Sequence, residues 1–417
     1  MAAGVAESRK AISEFLGRER PAQRRFLAEL VKVASDNPPG DCAAHARRAA
    51  ELLRQAGFAV EQYPVPAEAV AAAGMVSAIN LVVRRRFGSG GPTVALNAHG
   101  DVVPPGEGWS TDPYGAEIRD GWMYGRGVAV SKSDFATYAW ALLALQQSGA
   151  RLNGAVELHF TYDEEAGGTI GPQWLLQQRI SRPDFAISAG FSYGIVVAHN
   201  GCLHLEVELR GRSAHAAKPE TGHDALEAAT AVLADLYADR KLLRRITSKV
   251  PGISHPSLVI GLISGGINTN VVPDRIQFRL DRRMVPEEDV VAVEKQLTAF
   301  IQASAAKWPG IRCQVRRILL AEPLTSVPGQ ERLVAALQRN ADVVLGERIA
   351  PHGVPLYTDA RHYSAAGIPV VLYGAGPRDI EEANAHRADE RLKLADLHLA
   401  TEVVALTLCD LLSDGEA

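Results

Sequence analysis

The sequence predicts an α/β fold in which helices cover both faces of a central, mostly parallel sheet, with a smaller α+β module inserted into it. Three observations predict this fold. The 417 residues exceed what one hydrophobic core usually serves, so two domains are expected. Short β-rich apolar segments alternate with helical periodicity before about residue 200, and this pattern resumes after about residue 321. Between these points, two helices and several strands follow one another as in an α+β module.

The elements of the first α/β stretch follow from hydrophobic periodicity. Apolar residues recur at three- and four-residue spacing after Pro21, which predicts a helix over 26–33. Short apolar runs bounded by glycine or asparagine predict buried strands. Together these signals give helices over Ala43–Ala56 and Phe135–Gln147, and strands over Asn80–Val83, Thr93–Asn97 and Ala155–Tyr162.

The middle of the chain predicts the inserted module. Its strands are predicted over Cys202–Leu209, Ser257–Ile263 and Arg275–Leu280, and its helices over Ala225–Leu236 and Val290–Ile301. The α/β pattern then resumes with helices over Leu333–Leu345 and Ala395–Leu411 and a strand over Pro369–Tyr373. We therefore expect an inserted domain at residues 200–318 within a discontinuous domain of residues 1–199 and 319–417. Three serial domains are the alternative that the pattern leaves open.

The charge balance and the cysteines argue against several classes of protein. The 44 Lys+Arg and 48 Asp+Glu residues give a formal net charge of −4, which does not suit a nucleic-acid or membrane-surface binder. The 4 cysteines lie far apart without CxxC spacing, so reduced thiols are expected rather than a disulfide framework or a structural zinc knot. Neither a secretory signal nor an apolar stretch long enough to span a membrane is evident. We expect a cytoplasmic protein.

Two motifs at predicted strand ends carry residues suited to metal chemistry. In LNAHGDVVP, Asp101 lies two residues after His99 and can accept the second ring N–H of that histidine, which fixes its tautomer. In FTYDEEAGG, Asp163, Glu164 and Glu165 crowd three carboxylates at the carboxyl end of a strand, where open α/β sheets bind ligands. One glutamate could ligate a metal while its neighbour takes a proton from water. Taken alone, each motif also fits a structural strand end or a solvated acidic loop.

The remaining candidate residues lie in loops. His215 in GRSAHAAKPETGHDAL could polarise a carbonyl group, although a surface histidine is the simpler interpretation without context. Asn270 in SGGINTNVVPD and the nearby Arg283 could hold a carboxylate, although asparagine is also an ordinary turn residue. The YGAGP turn contains Gly376, where a substrate could approach the backbone closely. His386 in ANAHRADERL precedes the last helix.

Taken in order, these segments resemble the metallopeptidase family of aminoacylase, acetylornithine deacetylase, succinyl-diaminopimelate desuccinylase and glutamate carboxypeptidase. The resemblance covers nearly the whole chain, and so many ordered motifs are far more specific than any one of them. It implies an α/β catalytic domain of the co-catalytic-zinc exopeptidase type, interrupted by a lid domain that commonly dimerises. The segments that carry it are HGDVVP, WSTDPYGAEIRDGWMYGRG, the paired glutamates, GRSAH, SGGINTNVVPD, TDARHYSAAGIPVVLYGAGP and AHRADE.

The resemblance also implies roles for individual residues. His99, Glu165 and His386 would bind metal. Asp101 would orient His99, and Glu164 would be the general base. His215 would stabilise the oxyanion, often from the partner subunit. Asn270 and Arg283 would contact the substrate backbone and carboxylate.

Two departures from the family pattern concern the metal site itself. The family places a metal-bridging aspartate where GRGVAVSKS has Val130, although Lys132 is retained. The family also supplies a carboxylate ligand where AISAGFS has Gly190. Two cations a few ångströms apart need anionic ligands between them to offset their repulsion. We therefore do not expect a dinuclear site of the family type.

Three outcomes remain open, and we favour the first. A single divalent ion per chain, most simply zinc with manganese or cobalt as alternatives, would support hydrolysis by metal-activated water with Glu164 as base. The substrate would be a small carboxylate-bearing molecule of the N-acyl amino acid or short-peptide class, cleaved at an amide or other C–N bond. The second outcome is a metal-poor binding protein. In the third, Ser131, Lys132 and Asp134 supply groups for different C–N chemistry, such as amino-group displacement.

Overall fold

The computed structural model describes the backbone of residues 2–413 and the side chains of residues 6–413. Its strands are β1 (Val60–Pro64), β2 (Ile79–Phe87), β3 (Thr93–His99), β4 (Glu117–Arg119), β5 (Trp122–Tyr124), β6 (Gly154–Thr161), β7 (Phe185–Ser188), β8 (Ile195–His199), β9 (Gly201–Arg210), β10 (Ser257–Gly265), β11 (Arg275–Met284), β12 (Arg312–Ala321), β13 (Pro351–Val354), β14 (Val370–Leu372) and β15 (Arg391–Lys393). Its α-helices are α1 (Ala2–Val31), α2 (Ala43–Gln55), α3 (Ala67–Ala72), α4 (Lys132–Gln146), α5 (Pro172–Gln177), α6 (Ala225–Leu243), α7 (Val290–Ala305), α8 (Gln330–Leu345), α9 (Ala360–Ala365) and α10 (Leu394–Leu412).

The chain divides into two compact units. The larger unit comprises the chain up to Val197, Ser326–His352 and the chain from Thr358 onward. The smaller unit comprises Ala198–Thr325 and Gly353–Tyr357. Strand β12 crosses residue 318, where the sequence analysis ends the inserted domain, and it lies whole within the smaller unit because it pairs with β9 along its length.

The larger unit is built on an eight-stranded sheet in the order β1-β2-β6-β3-β7-β14-β8-β13. The neighbours β6, β3, β7 and β14 run parallel, while β1 and β2 pair antiparallel at one edge and β8 pairs antiparallel with β14. Parallel strands need crossover helices, which cover the faces of the sheet. The predicted α/β class is confirmed, with a parallel centre inside a mixed sheet.

Strand β6 shows why helices lie on both faces. Its side chains alternate between the two faces of the sheet, and each residue of the strand is buried. On one face, Phe160 stacks on Phe135 of α4 with ring centroids 3.9 Å apart. On the other, Nδ1 of His159 lies 2.7 Å from the hydroxyl of Tyr363 in α9.

The ends of β3 and β6 bring two sequence motifs together. The parallel register places His99 opposite Thr161, and Gly100 donates its N–H to the Thr161 carbonyl at 2.8 Å. The HGD motif therefore leaves the sheet beside the loop that carries Glu164 and Glu165. This is the carboxyl edge of the parallel strands, where such sheets bind their ligands.

The smaller unit is an antiparallel sheet, in the order β10-β11-β9-β12, with α6 and α7 packed on one face. Alternate residues of β9 and β11 form its core. The residues that face the helices from these two strands include Leu203, Leu205, Val207, Phe278 and Leu280. The opposite face carries charged and polar side chains. Because successive side chains of a strand point to opposite faces, the sheet has one apolar and one polar face.

One predicted boundary is wrong. Helix α1 begins well before Pro21 and contains it, whereas the sequence analysis starts the helix after this proline. Proline lacks a backbone donor and is costly inside a helix. Here Ile12 and Leu16 are buried on the same side as Phe26 and Leu27, so packing on both sides of the proline offsets that cost. Among residues 2–413, none of the helices combines the length and the apolar character needed to cross a bilayer.

Candidate active site

His99 is held in one orientation at the end of β3. Its Nδ1 lies 2.9 Å from the backbone oxygen of Asp101 and 3.3 Å from that residue's Oδ1, while its Nε2 is 4.0 Å from Oε2 of Glu164. Burial opposes a charge on the ring, but the hydrogen bond to Asp101 and the nearby Glu164 raise the pKa of His99 above its usual range. Because Nδ1 is used by Asp101, Nε2 is the nitrogen directed at the glutamates.

Asp101 connects His99 to the glutamate pair. Its Oδ1 accepts the backbone N–H of Glu164 at 3.2 Å, and its Oδ2 accepts that of Glu165 at 3.1 Å. Oδ2 also accepts a hydrogen bond from the side-chain amide of Asn37 at 2.9 Å. One fully buried carboxylate therefore sets the imidazole ring and the backbone of the acidic turn.

Of the predicted ligands, His99 and Glu165 lie together with Glu164, and His386 lies beside Glu165. Donor atoms of His99, Glu164 and Glu165 all lie within 4.8 Å of one another. Oε1 of Glu165 is 3.5 Å from Nε2 of His386. Burial raises the pKa of Glu164 to about 7, His99 opposes this, and Glu165 and Asp101 add to it. The hydrogen bond to Glu165 raises the pKa of His386.

The loop that carries His386 is fastened by a buried ion pair. Glu390 accepts a hydrogen bond from Arg126 at 2.6 Å, and both side chains are almost fully buried. The same carboxylate accepts the backbone N–H groups of Ala129 and Val130 at 3.0 and 3.2 Å. The pairing of Arg126 with Glu390 was not predicted from the sequence. Arg126 lies in the GRG motif and Glu390 in the AHRADE motif, and their opposite charges were the only signal of the pairing.

The two positions that depart from the family pattern supply no ligand. Val130 is half-buried, its side chain packs against the hydrophobic core, and its N–H donates to Glu390. A Cβ at Gly190 would lie 2.7 Å from the carbonyl carbon of Leu372 and from the nitrogen of Tyr373. A side chain at residue 190 would therefore require the main chain at the end of β14 to move.

A buried acid, Asp134, lies beside Gly190. Oδ1 of Asp134 accepts the N–H of Ala375 at 2.7 Å, and the carboxyl group also accepts the N–H of Gly190. Burial raises the pKa of Asp134 to about 7, and the two backbone donors oppose the rise. A Cβ at Gly374 would lie 2.1 Å from the same oxygen, so a glycine is required there.

Ser131 and Lys132 are bonded to the backbone. The hydroxyl of Ser131 donates to the His99 carbonyl at 3.0 Å and accepts the His99 N–H at 3.1 Å. The ammonium of Lys132 donates to the carbonyl of Val33 at 3.0 Å, and burial lowers its pKa to about 8. Both side chains therefore support the end of β3 and the chain that precedes α2.

Two further carboxyl groups lie buried near Glu164. Burial and the charge of Asp101 raise the pKa of Asp163 to about 7, and its Oδ2 accepts the N–H of Ile170 at 2.7 Å. Burial and Asp163 likewise raise the pKa of Asp359. More carboxyl groups therefore surround Glu164 than the sequence motif alone indicates.

In the smaller unit, His215 and Asn270 are neighbours and Arg283 has other partners. The N–H of Ala216 donates to the backbone oxygen of Asn270 at 3.0 Å, and the chain at His215 bridges to Val271. Arg283 donates through Nε to Asp281 at 3.0 Å and packs over the ring of Tyr357. His215 and Asn270 are therefore on adjoining loop segments, whereas Arg283 lies within β11.

Gly376, in the larger unit, is buried against the chain at residues 190–192. Its N–H donates to the carbonyl of Gly190 at 2.9 Å, and its carbonyl accepts the N–H and the hydroxyl of Ser192 at 3.1 and 2.7 Å. A Cβ at Gly376 would lie 2.4 Å from the Gly190 oxygen. The close approach that this glycine permits is thus one between two segments of the main chain.

Comparison with known proteins identifies the family. The family model described as peptidase family M20/M25/M40 matches residues 95–410. The chain belongs to this family. It is 29% identical over 358 residues to an acetylornithine deacetylase of Proteus mirabilis, covering 85% of this chain and 86% of the relative. It is 28% identical over 392 residues to a succinyl-diaminopimelate desuccinylase of Gluconacetobacter diazotrophicus, covering 91% and 94%.

The fold is also similar to that of solved family structures. A di-peptidase of Saccharomyces cerevisiae superposes with a TM-score of 0.77 at 16% identity, covering 97% of this chain and 98% of that chain. The M20 family consists of metal-dependent hydrolases, and this chain is a hydrolase that acts on amide bonds.

The donor set fits one divalent ion. Two imidazoles and a carboxylate suit zinc and also other first-row metals, and His99, Glu165 and His386 offer these groups. A second ion would need the anionic ligands that Val130 and Gly190 do not provide, and the backbone around Gly190 is closed. His99 and Glu165, with His386 beside Glu165, are therefore the candidate metal ligands, and residues 130 and 190 supply none.

Proposed function

We propose that this M20 family enzyme hydrolyses an amide or related C–N bond in a small, carboxylate-bearing molecule, using one divalent metal ion. The observation that carries the proposal is the contact of Glu165 with His386 beside the cluster of His99, Glu164 and Glu165. The names of the relatives support N-acyl amino acids as the substrate class, with short peptides as the second class to test.

His99, Glu165 and His386 would hold the ion. When bound, such an ion polarises a substrate carbonyl and makes water more acidic. Zinc is the first candidate because it readily accepts mixed imidazole and carboxylate ligands, and manganese and cobalt are the alternatives. One ion is proposed because Val130 supplies no anionic bridge between two cations and Gly190 supplies no further carboxylate.

The chain's own residues would manage the proton and the geometry. Glu164 would take a proton from the attacking water and return it to the leaving amine, as a general base and then an acid. It is well placed because its carboxylate lies 4.0 Å from Nε2 of His99. Asp101 would keep Nδ1 of His99 occupied, so that Nε2 remains the donor to the metal.

The roles of the other predicted residues rest on the family resemblance. His215 would stabilise the oxyanion. Asn270 and Arg283 would contact the substrate backbone and carboxylate. Gly376 would let a substrate approach closely because it has no side chain. Its two backbone groups would not bind the substrate, since residues 190 and 192 already engage them. We also propose a cytoplasmic homodimer that forms through the smaller unit.

The test is metal reconstitution with a difference measurement. The chelator-treated protein is assayed on N-acyl amino acids and dipeptides as zinc, manganese or cobalt is returned. Bound metal is measured in the native protein and in the Glu165→Gln variant at each addition. We expect the difference between the two to rise together with the activity and to reach one ion per chain. Glu7→Gln, a change at an exposed position of α1, is the matched control and should behave like the native protein.

Two results would count against the proposal. An excess of two ions per chain contradicts the mononuclear centre. Full activity in the chelator-treated protein contradicts metal dependence. A ligand that binds tightly and is recovered unchanged after long incubation with metal-loaded protein would favour the binding-protein alternative.

A further inference from the structure

We propose that the smaller unit contains a second, thiolate-bearing zinc site formed by Cys202, His204 and Asp281. The three residues lie on the neighbouring strands β9 and β11. The antiparallel register places His204 directly opposite Asp281, and Cys202 lies two residues before His204 on the same face of the sheet. Thiolate, imidazole and carboxylate are the donors that zinc uses in proteins.

The spacing of the three donor atoms suits a tetrahedral ion. Sγ of Cys202 is 3.2 Å from Nε2 of His204 and 3.7 Å from Oδ1 of Asp281, and Nε2 of His204 is 3.3 Å from Oδ2 of Asp281. With zinc bonds of about 2.3 Å to sulfur and about 2.0 Å to nitrogen and oxygen, neighbouring ligands of a tetrahedron lie about 3.3–3.6 Å apart. The side chains thus need only small adjustments to bind one ion.

The surroundings distinguish this cluster from the rest of the same sheet face. Farther along the face, Glu206 pairs with Arg279 and Arg316 at 2.8 and 2.7 Å, so its charge is balanced by arginines. At the cluster, Asp281 pairs with one arginine, Arg283, and it is also faced by a thiol and an imidazole. The side chain of His204 is 33% exposed and that of Asp281 30%, so an ion and a water ligand can reach a site whose sulfur is buried.

Arg283 supports the cluster from beside it. It lies opposite Cys202 in the register, and its Nε donates to both oxygens of Asp281 at 3.0 and 3.1 Å. A carboxylate ligand that accepts such a hydrogen bond is held in position.

Cobalt(II) can test this site separately from the proposed catalytic centre. Cobalt bound to a thiolate gives a sulfur-to-metal charge-transfer band in the near ultraviolet, whereas His99, Glu165 and His386 contain no sulfur. We expect metal-free protein to develop this band on addition of cobalt and to lose it when zinc is added. The band should saturate by about two ions per chain in native protein, because the catalytic centre also binds cobalt, and near one ion per chain in Glu165→Gln.

Variants assign the band to the proposed ligands. It should be absent in Cys202→Ser and should need at least tenfold more cobalt in His204→Ala. It should persist in Glu165→Gln, which removes a proposed ligand of the other site, and in Cys313→Ser, a matched thiol on β12 outside the cluster. Absence of the band in native protein, or its persistence in Cys202→Ser, would overturn the proposal whatever the outcome for the catalytic centre.

A second measurement requires no change to the cluster. Glu165→Gln protein loaded with one equivalent of zinc is examined by X-ray absorption at the zinc edge. We expect one sulfur neighbour at about 2.3 Å. A first shell made only of nitrogen and oxygen would refute the site.

Discussion

Asp101 shows how one side chain determines the geometry of the proposed catalytic centre. Its two oxygens hold the His99 ring and the backbone N–H groups of Glu164 and Glu165, and Asn37 holds the carboxylate in turn. Because the two glutamates share this support, their different surroundings arise from where their side chains point. Glu165 faces His386, whereas Glu164 approaches His99. This difference predicts different consequences for their substitution.

Substituting each glutamate by glutamine should separate a base from a ligand. We expect Glu164→Gln to retain bound metal and to lose about 10²-fold or more in kcat, because glutamine cannot accept the proton. Glu165→Gln should lose metal as well as activity. The measurements are steady-state kinetics and metal content on the same preparations. Equal metal loss in both variants would contradict the assignment.

Asp134 predicts a pH dependence of stability. Burial raises its pKa from 3.8 to about 7 in the folded chain. The folded state therefore holds this proton over a range in which the unfolded state has released it, and stability falls as the pH rises from about 4 to about 7. Asp134→Asn removes this titration. Between pH 5 and 7.5 the free energy of unfolding of the native protein should fall by roughly 2 kcal/mol relative to the variant.

The measurement for Asp134 is urea unfolding at several pH values. Asp342→Asn, at an exposed position of α8, is the control and should leave the pH dependence of the native protein unchanged. A constant difference between native protein and Asp134→Asn over this range would show that residue 134 does not titrate there.

The residues of the centre were predictable in part. His99 and the glutamates could be placed together from sequence because each follows a buried strand of one parallel sheet. Asn37 could not be placed there from the sequence, because it contacts Asp101 from a loop that is distant in sequence and shows no periodic pattern. The partners of Asp134 are backbone N–H groups, which leave no mark on residue type.

At the scale of elements, long buried strands and amphipathic helices were predictable and short or constrained elements were not. Strand β6 was found as a short β-rich segment between turn residues, and all of its residues are buried because both faces of the strand are covered. The three-residue strands β4, β5 and β15 form a small separate sheet and are too short for a period to show. Helix α1 passes through Pro21 because packing on both sides outweighs a local preference.

The ion pair of Arg126 and Glu390 joins elements that are distant in sequence, so breaking it should destabilise the fold. Glu390→Gln leaves Arg126 buried without a compensating charge, and about 3–5 kcal/mol of stability should be lost. Urea unfolding gives the change in free energy. Glu381→Gln, an exposed glutamate of the same loop, should lie within about 0.5 kcal/mol of the native protein. An equally small effect for Glu390→Gln would show that the pair is not structural.

At the scale of the whole molecule, each of the two units has a hydrophobic core of its own. Phe160 belongs to the core of the larger unit and Phe278 to that of the smaller unit, and both side chains are fully buried. The change of pattern near residue 200 was enough to expect an insertion. That residues 353–357 belong to the smaller unit could not be predicted from the sequence, because so short a segment shows no hydrophobic periodicity.

Two cores predict two separable responses to substitution. Phe160→Ala and Phe278→Ala should each remove about 3–5 kcal/mol from the unit that contains the residue. In calorimetry, we expect the two variants to lower different components of the unfolding transition. Identical shifts of one cooperative transition in both variants would show that the units unfold as one.

The closed backbone around Gly190 limits which side chains this position can hold. A glutamate introduced at residue 190 would begin 2.7 Å from the main chain at Leu372 and Tyr373, beside a carboxyl group that already accepts the Gly190 N–H. Introducing a carboxylate ligand here by side-chain exchange alone would therefore fail before any metal could bind. An engineer, or a lineage, seeking the dinuclear form would first have to reshape the chain that follows β14.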